Sequence, residues 1–270
     1  MNWATLYAGQ REMELEVEPE IARPRVRQDV VAPDPGRSVA IRLDSVAKAF
    51  GDRTVLNDLS LTIDAGQFVA VVGRSGCGKT TLLRMIAGLE ALTAGRLSID
   101  DQPVAGLRDD VRLLFQEPRL LPWHRVLSNV GIARGAEWQA HAQAALEDVG
   151  LGDRAKDWPA VLSGGQRQRV ALARALVTKP KALLMDEPFG ALDALTRSEM
   201  HQLLLRVRTE YGFTAILITH DVREAIALAD RILVLKDGGV ARDIPIDVPL
   251  RLRRASPALA HLEQTILTEV

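Results

Sequence analysis

The chain is short of four things, and each shortage excludes a class of protein. A single cysteine, Cys77, stands among 270 residues, which rules out an internal disulfide and suits a reducing compartment. No apolar run approaches the roughly 18 residues needed to span a bilayer. The N-terminus also lacks the basic and then apolar regions of a secretory signal, so none is expected. Charge of one sign is missing too. The formal net charge is −1, with no block of like charges, so nucleic acid is not an expected partner. The length still allows one large domain, or one domain with a lobe, around a substantial core.

Residues 1–37 stand apart in composition. Acids alternate with apolar residues over Glu12–Glu18, and proline and arginine then accumulate (Pro19, Pro24, Pro33, Pro35; Arg23, Arg25, Arg27). Such a stretch offers little core to offset chain entropy, and a disordered leader is expected. From Ser38 the patterning is strong. Val39–Val46 and Val55–Ile63 alternate as strands do, with Gly51-Asp52 in the turn between them. Phe68–Val72, Gly95–Asp100, Val111–Phe115, Ala182–Met185, Ala215–Ile218 and Ile232–Leu235 read as further strands. Glu137–Val149, Gln166–Val177, Leu195–Tyr211 and Asp221–Ala229 read as helices. Strands alternating with helices imply an α/β fold, a parallel sheet with helices on both faces. The mostly helical stretch at about 117–177 interrupts that alternation and reads as a lobe inserted in a domain covering 38–245, with 246–270 as a tail carrying a short helix. No internal repeat is present, so one copy of each site per chain is expected.

Gly73-Arg74-Ser75-Gly76-Cys77-Gly78-Lys79-Thr80 matches G-x-x-x-x-G-K-[ST], the loop whose backbone N–H groups wrap nucleotide phosphates. An apolar strand precedes it. A helix beginning Thr80-Thr81-Leu82 and closing at a glycine cap, Gly88, follows it, so the dipole and first-turn amides face the phosphates. Lys79 is expected at the β- and γ-phosphates and the Thr80 hydroxyl on Mg²⁺. Cys77 reads as a small tolerated residue of this loop rather than a redox switch. Downstream, the apolar run Ala182-Leu183-Leu184-Met185 ends in Asp186-Glu187. Burial of that strand leaves Asp186 beside the loop to hold a metal through water, and Glu187 next to it to orient or deprotonate a water. Ser163-Gly164-Gly165-Gln166 opens another helix and makes a second anion site.

In this order the motifs resemble those of the ATP-binding subunits of ABC transporters, over about Val39 to Arg242. The resemblance implies a P-loop NTPase core with an N-terminal antiparallel β subdomain and an inserted α-helical subdomain. It implies ATP and Mg²⁺ as ligands. It also implies Gln116 as a contact to metal and attacking water, Asp193 as the residue that communicates across a dimer, and His220 at the γ-phosphate. Phe50 stands where the family stacks an aromatic ring on adenine, and the loop through Thr81 would hold the phosphates. Two chains would pair head to tail, each ATP lying between Lys79 of one and Ser163-Gly164-Gly165 of the other. No catalytic position departs from the family pattern.

The run Gln116-Glu117-Pro118-Arg119-Leu120-Leu121-Pro122-Trp123 follows the sensing glutamine, where the family meets its integral-membrane permease. It resembles the importers of nitrate, taurine and aliphatic sulfonates. The stretch Ile246–Leu250 and the segment Ala258–Glu263 bring the aliphatic-sulfonate ATPases nearest, with taurine or nitrate import as the alternative. A permease pair, a periplasmic substrate-binding protein and a peripheral position on the cytoplasmic face of the inner membrane follow from that resemblance. Arg251, Arg253 and Arg254 read as a solvated patch. The extra regulatory domain of sugar importers is not expected. A soluble ABC ATPase of DNA repair or translation is disfavoured, because long coiled-coil insertions and a second ATP site are missing from the sequence.

Overall fold

A computed structural model describes residues 36–132, 137–250, 253 and 257–269 of the chain. The expected leader therefore lies outside the described residues up to Pro35. The described residues fall within one unit, Val31–Val270.

The fold is built from two sheets. Strands β1 (Ile41–Phe50), β2 (Arg53–Ile63), β4 (Ala94–Ile99) and β5 (Gln102–Pro103) form an antiparallel sheet in the order β2-β1-β4-β5. A six-stranded sheet runs β10-β9-β3-β8-β7-β6, from β3 (Phe68–Val72), β6 (Val111–Leu114), β7 (Ala182–Asp186), β8 (Thr214–Ile218), β9 (Arg231–Lys236) and β10 (Gly239–Pro245). All its pairings are parallel except that of β10 with β9.

Strand β3 is apolar and buried at every position, and β7 and β8 at all but one, because both faces are covered. On β3, Phe68, Ala70 and Val72 enter one core, while Val69 and Val71 enter the other, as the two-residue period of a strand requires. The first core lies against the long helices. The second lies against β1, β2, β4 and helix α1 (Lys79–Ile86). Phe68 is fully buried, and burying a side chain of that kind contributes about 2–3 kcal/mol over leaving it in water.

Between β6 and β7 the chain forms α2 (Val126–Val130), α3 (Trp138–Asp148) and α4 (Gly164–Leu176), which pack on one another. Helix α5 (Ala194–Tyr211) follows β7, α6 (Val222–Leu228) follows β8, and α7 (Pro257–Glu269) closes the described chain. α1 ends as expected at a glycine. Leu89 N–H donates to the Arg84 carbonyl at 2.8 Å and Gly88 N–H to that of Met85 at 3.0 Å, which closes the last turn.

Three features differ from the sequence expectation. α2 is too short to show a helical period, and β10 is an exposed edge whose pattern is polar. The arginines after Ile246 are not simply a solvated patch. Arg253 is 8% exposed and donates to three backbone carbonyls: Val248 at 2.9 Å, Ile226 at 2.9 Å and Ala229 at 2.6 Å. Ile226 and Ala229 stand at the carboxyl end of α6, where carbonyls lack helical partners, so the guanidinium replaces solvent there. Arg251 and Arg254 lie outside the described residues.

Candidate nucleotide site

Four neighbouring strands, β3-β8-β7-β6, release their chains at one end of the sheet, the carboxyl end, where ligands of open α/β sheets bind. β3 leads into Gly73–Gly78, β6 into Gln116, β7 into Glu187 and β8 into His220. The pairing places Asp186 level with Ile218, and Ile218 level with Val71. Residues far apart in sequence are thereby brought to one edge.

The phosphate loop needs its glycines. Gly73 has φ +155° and a Cβ there would lie 2.3 Å from the Leu235 carbonyl oxygen; Gly78 has φ +105° and a Cβ would lie 2.7 Å from Leu56 Cδ2. Gly78 caps α1 with no side chain, and the first turn holds no acid, so the leading amides are left for an anion. Lys79 is 7% exposed and donates from Nζ to the carbonyls of Gly73 at 2.7 Å and Arg74 at 2.9 Å. Its charge thus sits inside the curled loop, held by carbonyls. Cys77 Sγ is 4.0 Å from that ammonium.

Thr80 Oγ1 donates to Asp186 Oδ1 at 3.1 Å, across 106 residues of sequence. Burial pushes the Asp186 carboxyl above the usual carboxylate range, the Thr80 hydrogen bond opposes this, and the Glu187 charge adds to the rise. Two oxygens of the right kind for a hard cation therefore converge, one of them a charge poorly compensated by protein. Among the described residues no three His, Cys, Asp or Glu side chains gather to hold a metal. A Mg²⁺ ion here would draw its remaining ligands from phosphate and water, which is its habit. The residues fit that group.

A carboxyl with a raised folded-state pKa costs stability once pH exceeds its unfolded value, and the whole cost is present above its folded value. Asp186→Asn is therefore expected to raise the Tm of the nucleotide-free chain by about 2–4 °C. The amide oxygen still accepts from Thr80. Thermal unfolding without ATP checks this, and a lower Tm would mean that the charge supports the empty loop.

Glu187 has φ +45°, a strained backbone for a residue with a Cβ. Its N–H donates to Ile218 O at 3.0 Å and its carbonyl accepts from Gly190 N–H at 3.2 Å, which hold it there. Glu187 Oε2 lies 3.0 Å from His220 Nδ1, with the His220 side chain 67% exposed. A Cβ on Gly190 would stand 3.4 Å from Gln116 Nε2 and 3.9 Å from Glu187 Oε2, so these two side chains border one small space.

Phe50 is 48% exposed, with Lys48 Nζ 4.5 Å from its ring centroid. It sits at the β1–β2 turn, and β2 passes against Gly78 through Val55 and Leu56, so a flat aromatic face stands near the loop. Ser163 caps α4 by a capping box. Gln166 N–H donates to Ser163 Oγ at 3.2 Å and Ser163 N–H to Gln166 Oε1 at 2.9 Å. Ser163 and Gly164 are exposed, whereas Gly165 is buried, its would-be Cβ 2.2 Å from Thr196 Cγ2. No described hydrogen bond joins this turn to the phosphate loop of the same chain. Asp193 caps α5, accepting from Leu195 N–H, Thr196 N–H and the Thr196 hydroxyl at 3.1, 3.0 and 2.9 Å. Those donors hold its carboxyl below the usual carboxylate range.

The bracing of the segment after Gln116 by two side chains was not read from the sequence. Asn129 is fully buried. Its Oδ1 accepts from Leu121 N–H at 2.7 Å, and its Nδ2 donates to the carbonyls of Leu121, His124 and Arg125 at 3.1, 2.9 and 3.2 Å. Arg174 of α4 donates to the carbonyls of Pro118 at 2.6 Å and Arg119 at 2.9 Å. A buried asparagine in a short helix was the available signal. The loop they brace presents Trp123, 69% exposed.

A family model described as ABC transporter matches residues 56–190. The aliphatic sulfonates import ATP-binding protein SsuB of Pectobacterium atrosepticum is 56% identical over 234 residues, 87% of this chain and 88% of that protein. A protein of the same description from Pseudomonas syringae pv. tomato is 54% identical over 87% of each chain. Among solved structures, the ATP-binding cassette MJ0796, a dimer in a post-hydrolysis state bound to ADP and Pi, matches at TM-score 0.68 and 35% identity, over 77% of this chain and 100% of that one. The cbiO1 protein of Clostridium perfringens, part of the ABC transporter complex cbiONQ, matches at TM-score 0.72 and 27% identity, over 83% and 98%. With its phosphate loop, acid-ended strand and Ser163-Gly164-Gly165-Gln166 turn in that fold, the chain belongs to the ABC transporter family and is an ATP-binding subunit that hydrolyses ATP.

Proposed function

We propose that this subunit energises an importer of aliphatic sulfonates and so serves sulfur acquisition. The observation that carries this reading is the 56% identity over 87% of the chain to a protein named for that import. The ATPase mechanism rests on the geometry of the site.

In this reading two copies pair head to tail, and each ATP lies between one chain's Gly73–Thr81 loop and the partner copy's signature turn, its Ser163-Gly164-Gly165-Gln166. Phe50 stacks on adenine. Lys79 turns from its two carbonyls to the β- and γ-phosphates. Thr80, Asp186 and Gln116 hold Mg²⁺, which when bound neutralises charge developing on the phosphate oxygens. Glu187 accepts the proton of the attacking water, and His220 contacts the γ-phosphate. Asp193 carries the state of one site to the other across the dimer. ATP closes the pair, and phosphate release opens it.

Among the described residues no helix is long and apolar enough to cross a membrane, so the transport path belongs to separate permease subunits. They dock at Gln116–Trp123, where the braced loop offers Trp123 as an anchor. A periplasmic substrate-binding protein completes the importer, and the ATPase sits at the cytoplasmic face of the inner membrane.

Growth of a deletion strain on ethanesulfonate, taurine, nitrate and sulfate, each with complementation by the intact gene, tests the cargo. Loss on ethanesulfonate with sulfate growth preserved is expected. Loss confined to taurine or nitrate would overturn the cargo and keep the ATPase.

A further inference from the structure

A second polar cluster adjoins the turns that carry Glu187, Asp193 and His220. Its centre is Glu224 in the first turn of α6, its side chain 7% exposed. One carboxylate oxygen, Oε2, accepts the Thr219 hydroxyl at 2.7 Å. The other, Oε1, faces Arg197 Nε at 3.4 Å and His201 Nε2 at 3.7 Å. Arg197 also donates from Nη2 to the Leu192 carbonyl at 3.0 Å and lies 3.6 Å from Asp221 Oδ2. His201 meets the Phe189 ring in an edge contact, centroids 4.8 Å apart. Phe189 stands two residues after Glu187, and Leu192 immediately precedes Asp193.

The direction of the Thr219 hydroxyl gives this cluster its meaning. Its oxygen accepts the Asp221 N–H at 3.0 Å, so its proton goes to Glu224. Thr219 and Asp221 flank His220, and one hydroxyl held by one carboxylate fixes the backbone on both sides of the histidine. Through Arg197 the same carboxylate also fixes the carbonyl before Asp193. One charged oxygen takes the Thr219 hydrogen bond and the other faces the Arg197 guanidinium at 3.4 Å, where neither Arg197 Nε nor His201 Nε2 makes a hydrogen bond, so an amide would lose the charge that offsets them.

We propose that Glu224, with Thr219 and Arg197, is a positioning residue for ATP hydrolysis, holding the His220 turn and the Leu192–Asp193 turn in one geometry and acting on the reaction through His220. The inference rests on the role given above to His220.

A double-mutant cycle on the full-length chain, reading kcat and KM for ATP together with Tm, tests it. Glu224→Gln is expected to lower kcat about tenfold while KM stays within about twofold. Thr219→Val, nearly isosteric and without the hydroxyl, is expected to do the same. In a His220→Ala background Glu224→Gln should lower kcat no further, because the group it positions is gone. Equal fold losses in both backgrounds would overturn the inference, as would a raised KM with unchanged kcat. Wild-type turnover in His220→Ala alone would remove the assignment of His220 and this inference with it, an outcome distinct from equal losses.

Discussion

Replacing Glu187 by glutamine is expected to leave ATP binding intact and to lower kcat by about 10²–10⁴-fold. The amide keeps the size of the side chain and a partner for His220 Nδ1, now 3.0 Å from the carboxylate. It cannot accept a proton from water at neutral pH. It also removes one negative charge from the edge where the γ-phosphate must lie, which favours the bound state. Nucleotide-loaded chains should therefore accumulate as closed dimers, visible as a shift in size-exclusion elution when ATP is present. The strained backbone at Glu187, φ +45°, is set by main-chain bonds to Ile218 and Gly190, not by the carboxyl. The substitution should consequently leave Tm unchanged within a few degrees. Turnover like that of the wild type, measured with the membrane partner present, would sink the assignment of Glu187 as base.

Lys79→Ala is expected to weaken ATP binding and to lower kcat/KM by about 10²–10³-fold or more, since it removes a preorganised charge from a site shielded from water. In the nucleotide-free chain the ammonium already points into the loop, donating to Gly73 and Arg74 carbonyls. Those are neutral acceptors, so a phosphate oxygen outcompetes them. The cost to the fold is modest because the loop is also held by α1, by the close approach of Gly73 to Leu235 and by that of Gly78 to Leu56. Calorimetric titration with ATP separates the two effects from a Tm measured on the same sample. Unchanged ATP affinity would place the triphosphate elsewhere.

Much of this site is legible in sequence because its parts are local. The phosphate loop, the strand before it and the helix after it form one contiguous run, and each constrains the next through glycine geometry and helix ends. The strand Ala182–Met185 with its two acids reads equally well, since a strand buried on both faces can only present charge where it leaves the sheet. The place of Asp186 beside the phosphate loop was read from its position at the end of a buried strand, whereas its direct hydrogen bond to Thr80, across 106 residues, was not. What stayed hidden depends on side chains meeting backbone far away. Arg174 braces Pro118 from 56 residues on, and Arg253 reaches Ile226 across 27. An arginine in sequence gives no sign of whether it ends in solvent or on a carbonyl. Glu224 escaped for a related reason. An acid in the first turn of a helix reads as a dipole partner, and only the approach of Arg197 and His201 from α5 shows that it stands among Thr219, Arg197 and His201. The edge strand β10 escaped because an exposed edge has no apolar period to announce it.

The plug that Arg253 forms at the end of α6 bears on the order in which the molecule is made. α6 leads directly out of the His220 turn, and its terminal carbonyls at Ile226 and Ala229 are satisfied by a side chain synthesised 24 to 27 residues later. While the nascent chain is still shorter than that, the helix after the His220 turn ends on carbonyls left to water. A translation product stalled in β10 would carry every residue of the ATP site and still lack the piece that seals the helix behind it.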